Sequence, residues 1–87
     1  MAKCTKLLDA ATINPAGLRI AEAASLAECW GFVERRSAGG AHRVFKRPGF
    51  RTLLNFQPEK NGMAKRYQVR QLLDAIQELQ DEGVTPQ

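Results

Sequence analysis

Apolar residues recur at helical spacing in three stretches of the chain, and the pattern changes to short strand-like runs between the second and third. From Lys3 to about Thr12, Leu7, Leu8 and Ala11 fall on one side of a short helix, which Asn14-Pro15-Ala16-Gly17 breaks. Leu18 to Trp30 predicts a longer helix. Ile20, Ala23, Ala24, Ala27 and Trp30 form its apolar stripe, and Leu26 and Cys29 widen it. So many alanines suit a helix lying close against a flat sheet. Gly31 follows as the expected C′ residue, because glycine takes the left-handed conformation without a steric penalty. Phe32–Arg36, Ala41–Lys46 and Phe50–Phe56 are strand candidates. They are separated by Ser37-Ala38-Gly39-Gly40 and by Arg47-Pro48-Gly49, where Pro-Gly fits the centre of a type II turn. Connections this short dictate an antiparallel meander. Gln57 to Lys65 is expected to be a polar loop. Tyr67 to about Asp81 then carries the clearest amphipathic pattern, with Val69, Leu72, Leu73, Ile76 and Leu79 on one face and Gly83 as its stop.

Helix, three strands, helix is an α+β order, and its economical packing places two helices on one face of a three-stranded antiparallel sheet. The first helix, within residues 1–14, is an addition in front of a core spanning 18–82. The 87 residues fit one domain, 1–87, with a thin core. Leu, Ile, Val and Phe make up 20 residues, just above the share below which disorder becomes the better reading.

Charge changes the picture more than composition does. Residues 1–32 sum to zero, 33–70 to +8, and 71–87 to −4. The middle segment holds Arg35, Arg36, Arg43, Lys46, Arg47, Arg51, Lys60, Lys65, Arg66 and Arg70 against only Glu34 and Glu59. A basic centre of this kind suggests a polyanionic partner; a solvated basic surface is the plainer alternative. No apolar run is long enough for a membrane span or a secretory leader, so a cytoplasmic protein is expected. Cys4 and Cys29 belong to no CxxC pair, and with a single histidine they make no zinc site. Both are expected to be reduced thiols.

His42 is the one histidine, inside Gly39-Gly40-Ala41-His42. Its imidazole has the only side-chain pKa that is ordinarily near neutrality. Strand alternation puts it on the sheet face opposite Phe45, with Arg35, Arg36 and Arg43 close in sequence or across the hairpin. A lone histidine is by itself more often ordinary surface. No GxSxG, HExxH or phosphate-loop pattern offers other chemistry.

Several segments, in order, resemble the HicA toxin family of small bacterial mRNA interferases. Leu18-Arg19-Ile20 with Leu26-Ala27-Glu28-Cys29-Trp30-Gly31-Phe32 resembles the family's first helix, which ends in Gly-Phe. Gly40-Ala41-His42-Arg43-Val44-Phe45 resembles its Gly-Ser-His-His-x-Phe element, and Arg47-Pro48-Gly49 its second turn. Lys65-Arg66-Tyr67-Gln68-Val69-Arg70-Gln71-Leu72-Leu73 resembles the start of its closing helix. The likeness covers about three-quarters of the chain, from Leu18 to Leu79. Ala41 stands where the family usually has serine, and Arg43 where a second histidine is common.

The resemblance implies a double-stranded-RNA-binding-domain-like fold and a metal-independent endoribonuclease toxin with no cofactor. It also implies mRNA as substrate and a HicB-like antitoxin as partner. His42 would be the catalytic base on a ribose 2′-hydroxyl. Gly40, Arg35, Arg36, Arg43, Lys46, Arg47, Lys65 and Arg66 would hold RNA. The leaving 5′-oxygen would take its proton from Lys46, Tyr67, the recycled imidazole or water. Two other readings fit the same residues: a non-catalytic RNA-binding module of this fold, and a basic domain that meets an acidic protein.

Overall fold

Two Gly-terminated helices set the frame. The computed structural model describes residues 3–35, 43–57 and 61–86. Helix α1 spans Lys3–Ile13, a single 3₁₀ turn covers Pro15–Gly17, and α2 spans Ile20–Cys29. Strands β1 (Val33–Arg35), β2 (Arg43–Lys46) and β3 (Leu54–Phe56) follow, then α3 (Arg66–Asp81). The sheet order is β1-β2-β3, both pairs antiparallel. This is the α+β arrangement that the pattern predicts. The Ser37–Gly40 turn, Arg36, Ala41 and His42, and Pro58, Glu59 and Lys60 of the polar loop lie outside the described residues.

Helix α2 begins with the Glu22 carboxylate accepting the N–H of Arg19 at 2.9 Å, which satisfies one of the backbone donors left over at a helix start. It ends in a Schellman motif. The Gly31 N–H donates to the Glu28 carbonyl and the Phe32 N–H to the Ala27 carbonyl, both at 3.1 Å, with Gly31 at φ 88°. Helix α3 ends the same way: Gly83 (φ 85°) donates to Gln80 and Val84 to Leu79, both at 2.9 Å. Val84 then packs against the core beside the helix it terminates.

The inner face of the sheet carries Phe45, Leu54 and Phe56, all fully buried. Phe45 and Phe56 meet edge to face with centroids 5.6 Å apart. They form one cluster with Leu26 and Trp30 of the α2 region and with Val69, Leu72, Ile76 and Leu79 of α3. Helix α1 contributes a single fully buried residue, Ala11, with Leu7 and Leu8 half-buried.

Three expectations change. The third strand starts at Leu54 rather than Phe50. The Pro48-Gly49 turn forms as read, with Gly49 at φ 82° and the Phe50 N–H on the Arg47 carbonyl at 3.0 Å. Phe50 then leaves the ladder to pack edge to face on Phe32, centroids 5.8 Å apart, so burial wins over strand pairing there. Second, part of the expected polar loop is paired. Ala64 donates to the Leu18 carbonyl at 2.8 Å and Ile20 to the Gly62 carbonyl at 3.1 Å, with an Arg19–Met63 bridge between them. This ties the entrances of α2 and α3 together. Third, the cysteines are not free thiols: Cys4 and Cys29 form a disulfide, their Cα atoms 5.9 Å apart. It joins the first turn of α1 to the last residue of α2. No helix among the described residues is long and apolar enough to cross a membrane.

Candidate nucleic-acid interface

Phe45 is fully buried against the helices, so the alternation of β2 puts Val44 and Lys46 on the other side of the sheet. The register carries Val33, opposite Lys46, and Arg35 and Asn55, opposite Val44, onto that same open side. Val33 is 61% exposed. Val33, Arg35, Lys46 and Pro48 line a shallow cleft of about 420 Å³, with apolar walls and two cationic side chains. A second shallow cleft, of about 530 Å³, is lined by Lys65, Arg66, Tyr67 and Arg70 where α3 begins. Arg35, Lys46, Arg66 and Arg70 make no ion pair among the described residues. Their charge is therefore available to a polyanion.

Other basic residues are committed internally. Arg43 shares the Phe45 side of the sheet, and its guanidinium lies 5.8 Å from the Phe45 ring centroid. It clasps Glu34 with two bonds, Nε to Oε2 at 2.9 Å and Nη2 to Oε1 at 2.8 Å. This fork geometry favours both charged forms. The hydrogen bonds from Arg43, and then its charge, outweigh partial desolvation and hold the Glu34 carboxyl below the usual glutamate range. Bonding to Glu34 likewise raises the pKa of Arg43. Arg47 donates from Nε to the Trp30 carbonyl at 2.9 Å, closing the C-terminal end of α2. A Cβ at position 31 would stand 3.0 Å from that Nε, so the glycine serves the close approach as well as the turn. Arg36, Gly40 and His42 are outside the described residues.

The structure thus brings Arg35 and Lys46 together on the open face, and Lys65 and Arg66 together at α3. It gives Arg43 and Arg47 internal partners. Tyr67 and Arg70 join the α3 cleft, although the basic count alone does not single them out. Helical spacing carries that signal, since Arg66 and Arg70 are four apart on one face.

The pair of Arg43 and Glu34 has a checkable pH signature. A carboxyl with a depressed folded-state pKa stabilises the fold above its unfolded value, and that contribution is lost as pH falls through the folded value. Both side chains are 36% exposed, so the effect is at most about 1 kcal/mol. Between about pH 5 and pH 3, around the ordinary glutamate value, urea unfolding of Glu34→Gln should lose less stability than the parent. Equal losses in the two proteins would show that the pair contributes nothing.

No family model, curated protein or solved structure matches the chain.

Proposed function

We propose that the chain is an endoribonuclease toxin of the HicA kind, with a double-stranded-RNA-binding-domain-like fold, acting on mRNA in the cytoplasm under the control of a HicB-like antitoxin. The observation that supports this reading is the set of basic side chains that make no ion pair among the described residues. Arg35 and Lys46 lie on the helix-free face of the sheet, and Lys65, Arg66 and Arg70 lie around the start of α3. In the proposed reaction His42 takes the proton of a ribose 2′-hydroxyl, and the 2′-oxygen attacks the adjacent phosphorus. The bond from phosphorus to the 5′-oxygen breaks, and that oxygen takes a proton from the imidazolium or from water. The products are a 2′,3′-cyclic phosphate and a free 5′-hydroxyl. Cations near the phosphate stabilise the charge that develops on it.

The clasp between Arg43 and Glu34 favours a second reading, a non-catalytic RNA-binding module. Arg43 occupies the place where the family commonly has its second histidine, and Glu34 engages it. It cannot serve as an acid or base at ordinary pH. Incubating the protein with single-stranded RNA in the presence of a chelator separates the two. New cyclic-phosphate ends support the nuclease. Salt-sensitive RNA retention without cleavage supports the binding module. Neither result leaves the domain for an acidic protein partner.

A further inference from the structure

Tyr67 is the one strongly exposed aromatic side chain among the described residues, at 57%. Trp30, Phe32, Phe45 and Phe56 are buried and Phe50 is half-buried. On α3 it lies off the apolar stripe of Val69, Leu72, Ile76 and Leu79, so core packing does not account for it. The side chain is nevertheless tethered. Gln68 is 4% exposed, and its Oε1 accepts the backbone N–H of Gln57 at 2.8 Å. That bond fixes which end of the amide is oxygen, so the amide nitrogen is the end that reaches the Tyr67 hydroxyl, at 3.4 Å. Lys65 Nζ is held by Gln57 Oε1, also at 3.4 Å. An aromatic ring is thus presented to solvent, tied at its hydroxyl, in a shallow cleft with Lys65, Arg66 and Arg70.

Cations alone account for phosphate binding, but they give no use for an exposed, tethered ring. A ring beside phosphate-binding cations has the chemistry of a nucleotide subsite, with the base on the ring and the flanking phosphates on the cations. In a duplex both faces of a base are already stacked, so only an unpaired base can use the ring. We infer that Tyr67, with Lys65, Arg66 and Arg70, forms a stacking subsite for one unpaired nucleotide of single-stranded RNA. The inference rests on the proposed RNA reading and adds to it a choice of single over double strand.

The test uses the full chain and labelled 2′-O-methyl oligoribonucleotides, which lack the attacking hydroxyl and stay intact. Affinity is measured for a single strand and for its duplex. Tyr67→Ala should weaken single-strand binding by about 5- to 150-fold, the range of one lost base stack, and leave duplex binding within about twofold. Tyr67→Phe keeps the ring and should bind like the parent. Arg66→Gln with Arg70→Gln should lower the slope of log affinity against log salt by about 1.4 on single strands. Single-strand binding by Tyr67→Ala within twofold of the parent overturns the subsite and leaves the RNA reading standing. Absence of binding by the parent to either oligonucleotide at low salt overturns the RNA reading, and the subsite with it. Circular dichroism of each variant shows whether the fold is retained.

Discussion

Replacing His42 with alanine should slow RNA cleavage by about 10²- to 10⁴-fold, the usual contribution of a positioned general base. A ribose 2′-hydroxyl is a poor nucleophile until its proton is taken, and the chain has no second histidine to take it. In the parent, cleavage should rise with pH as the imidazole loses its proton and becomes able to accept one from the hydroxyl. The alanine variant should lose that rise and retain affinity for a 2′-O-methyl strand, because phosphate contacts do not depend on the base. Arg43 is already neutralised by Glu34, so its removal should disturb cleavage far less than removal of His42. Single-turnover cleavage across pH 5–8 gives the answer. Cleavage by His42→Ala at the parental rate would remove the histidine from the mechanism.

Reduction of the disulfide has the second largest expected effect. Cys4 and Cys29 close a loop with a sequence separation of 25, and releasing a loop of that length costs about 3.5 kcal/mol in the chain-entropy account. A chain of 87 residues has a total stability of about 4–13 kcal/mol, so this is a substantial share. The melting temperature should fall by about 14–28 °C in a thiol reductant. Cys4→Ser should melt at the reduced value with or without reductant. The loss should be concentrated in α1, which has one fully buried side chain and relies on the bond to hold its first turn. Hydrogen exchange should therefore rise in α1 before it rises in α3. A shift of less than about 3 °C on reduction would show that α1 docks without the bond. If the protein acts in the cytoplasm, glutathione competes with the disulfide, and the attachment of α1 then follows the redox poise.

Helix ends were legible because the rules that set them act over a few residues. Gly31 and Gly83 stop their helices in the left-handed conformation, and Pro48-Gly49 turns the chain, each as the local sequence requires. The antiparallel order of the sheet followed from short connections, and the face of α3 from its periodicity. The site was legible as a charge excess, but not as a set of available charges. Arg35 and Lys46 make no ion pair among the described residues, whereas Arg43 is clasped by Glu34 and Arg47 closes α2. Counting charges along a chain does not say which carboxylate or carbonyl will stand beside each one.

The tertiary structure decided where distant segments meet. Helices α1 and α2, of 11 and 10 residues, are nearly equal in length and fold back on one another at Asn14–Gly17. That hairpin carries Cys4 to Cys29, although 25 positions separate them and neither lies in a disulfide-like motif. In the same way Phe50 left its strand for Phe32, and residues 62–64 paired with 18–20. Local sequence restricts each residue to a few backbone conformations, which is why glycine, proline and periodicity could be read directly. Pairing between remote residues depends on which packing of the whole chain buries the most apolar surface while satisfying its polar groups, and no short segment contains that information.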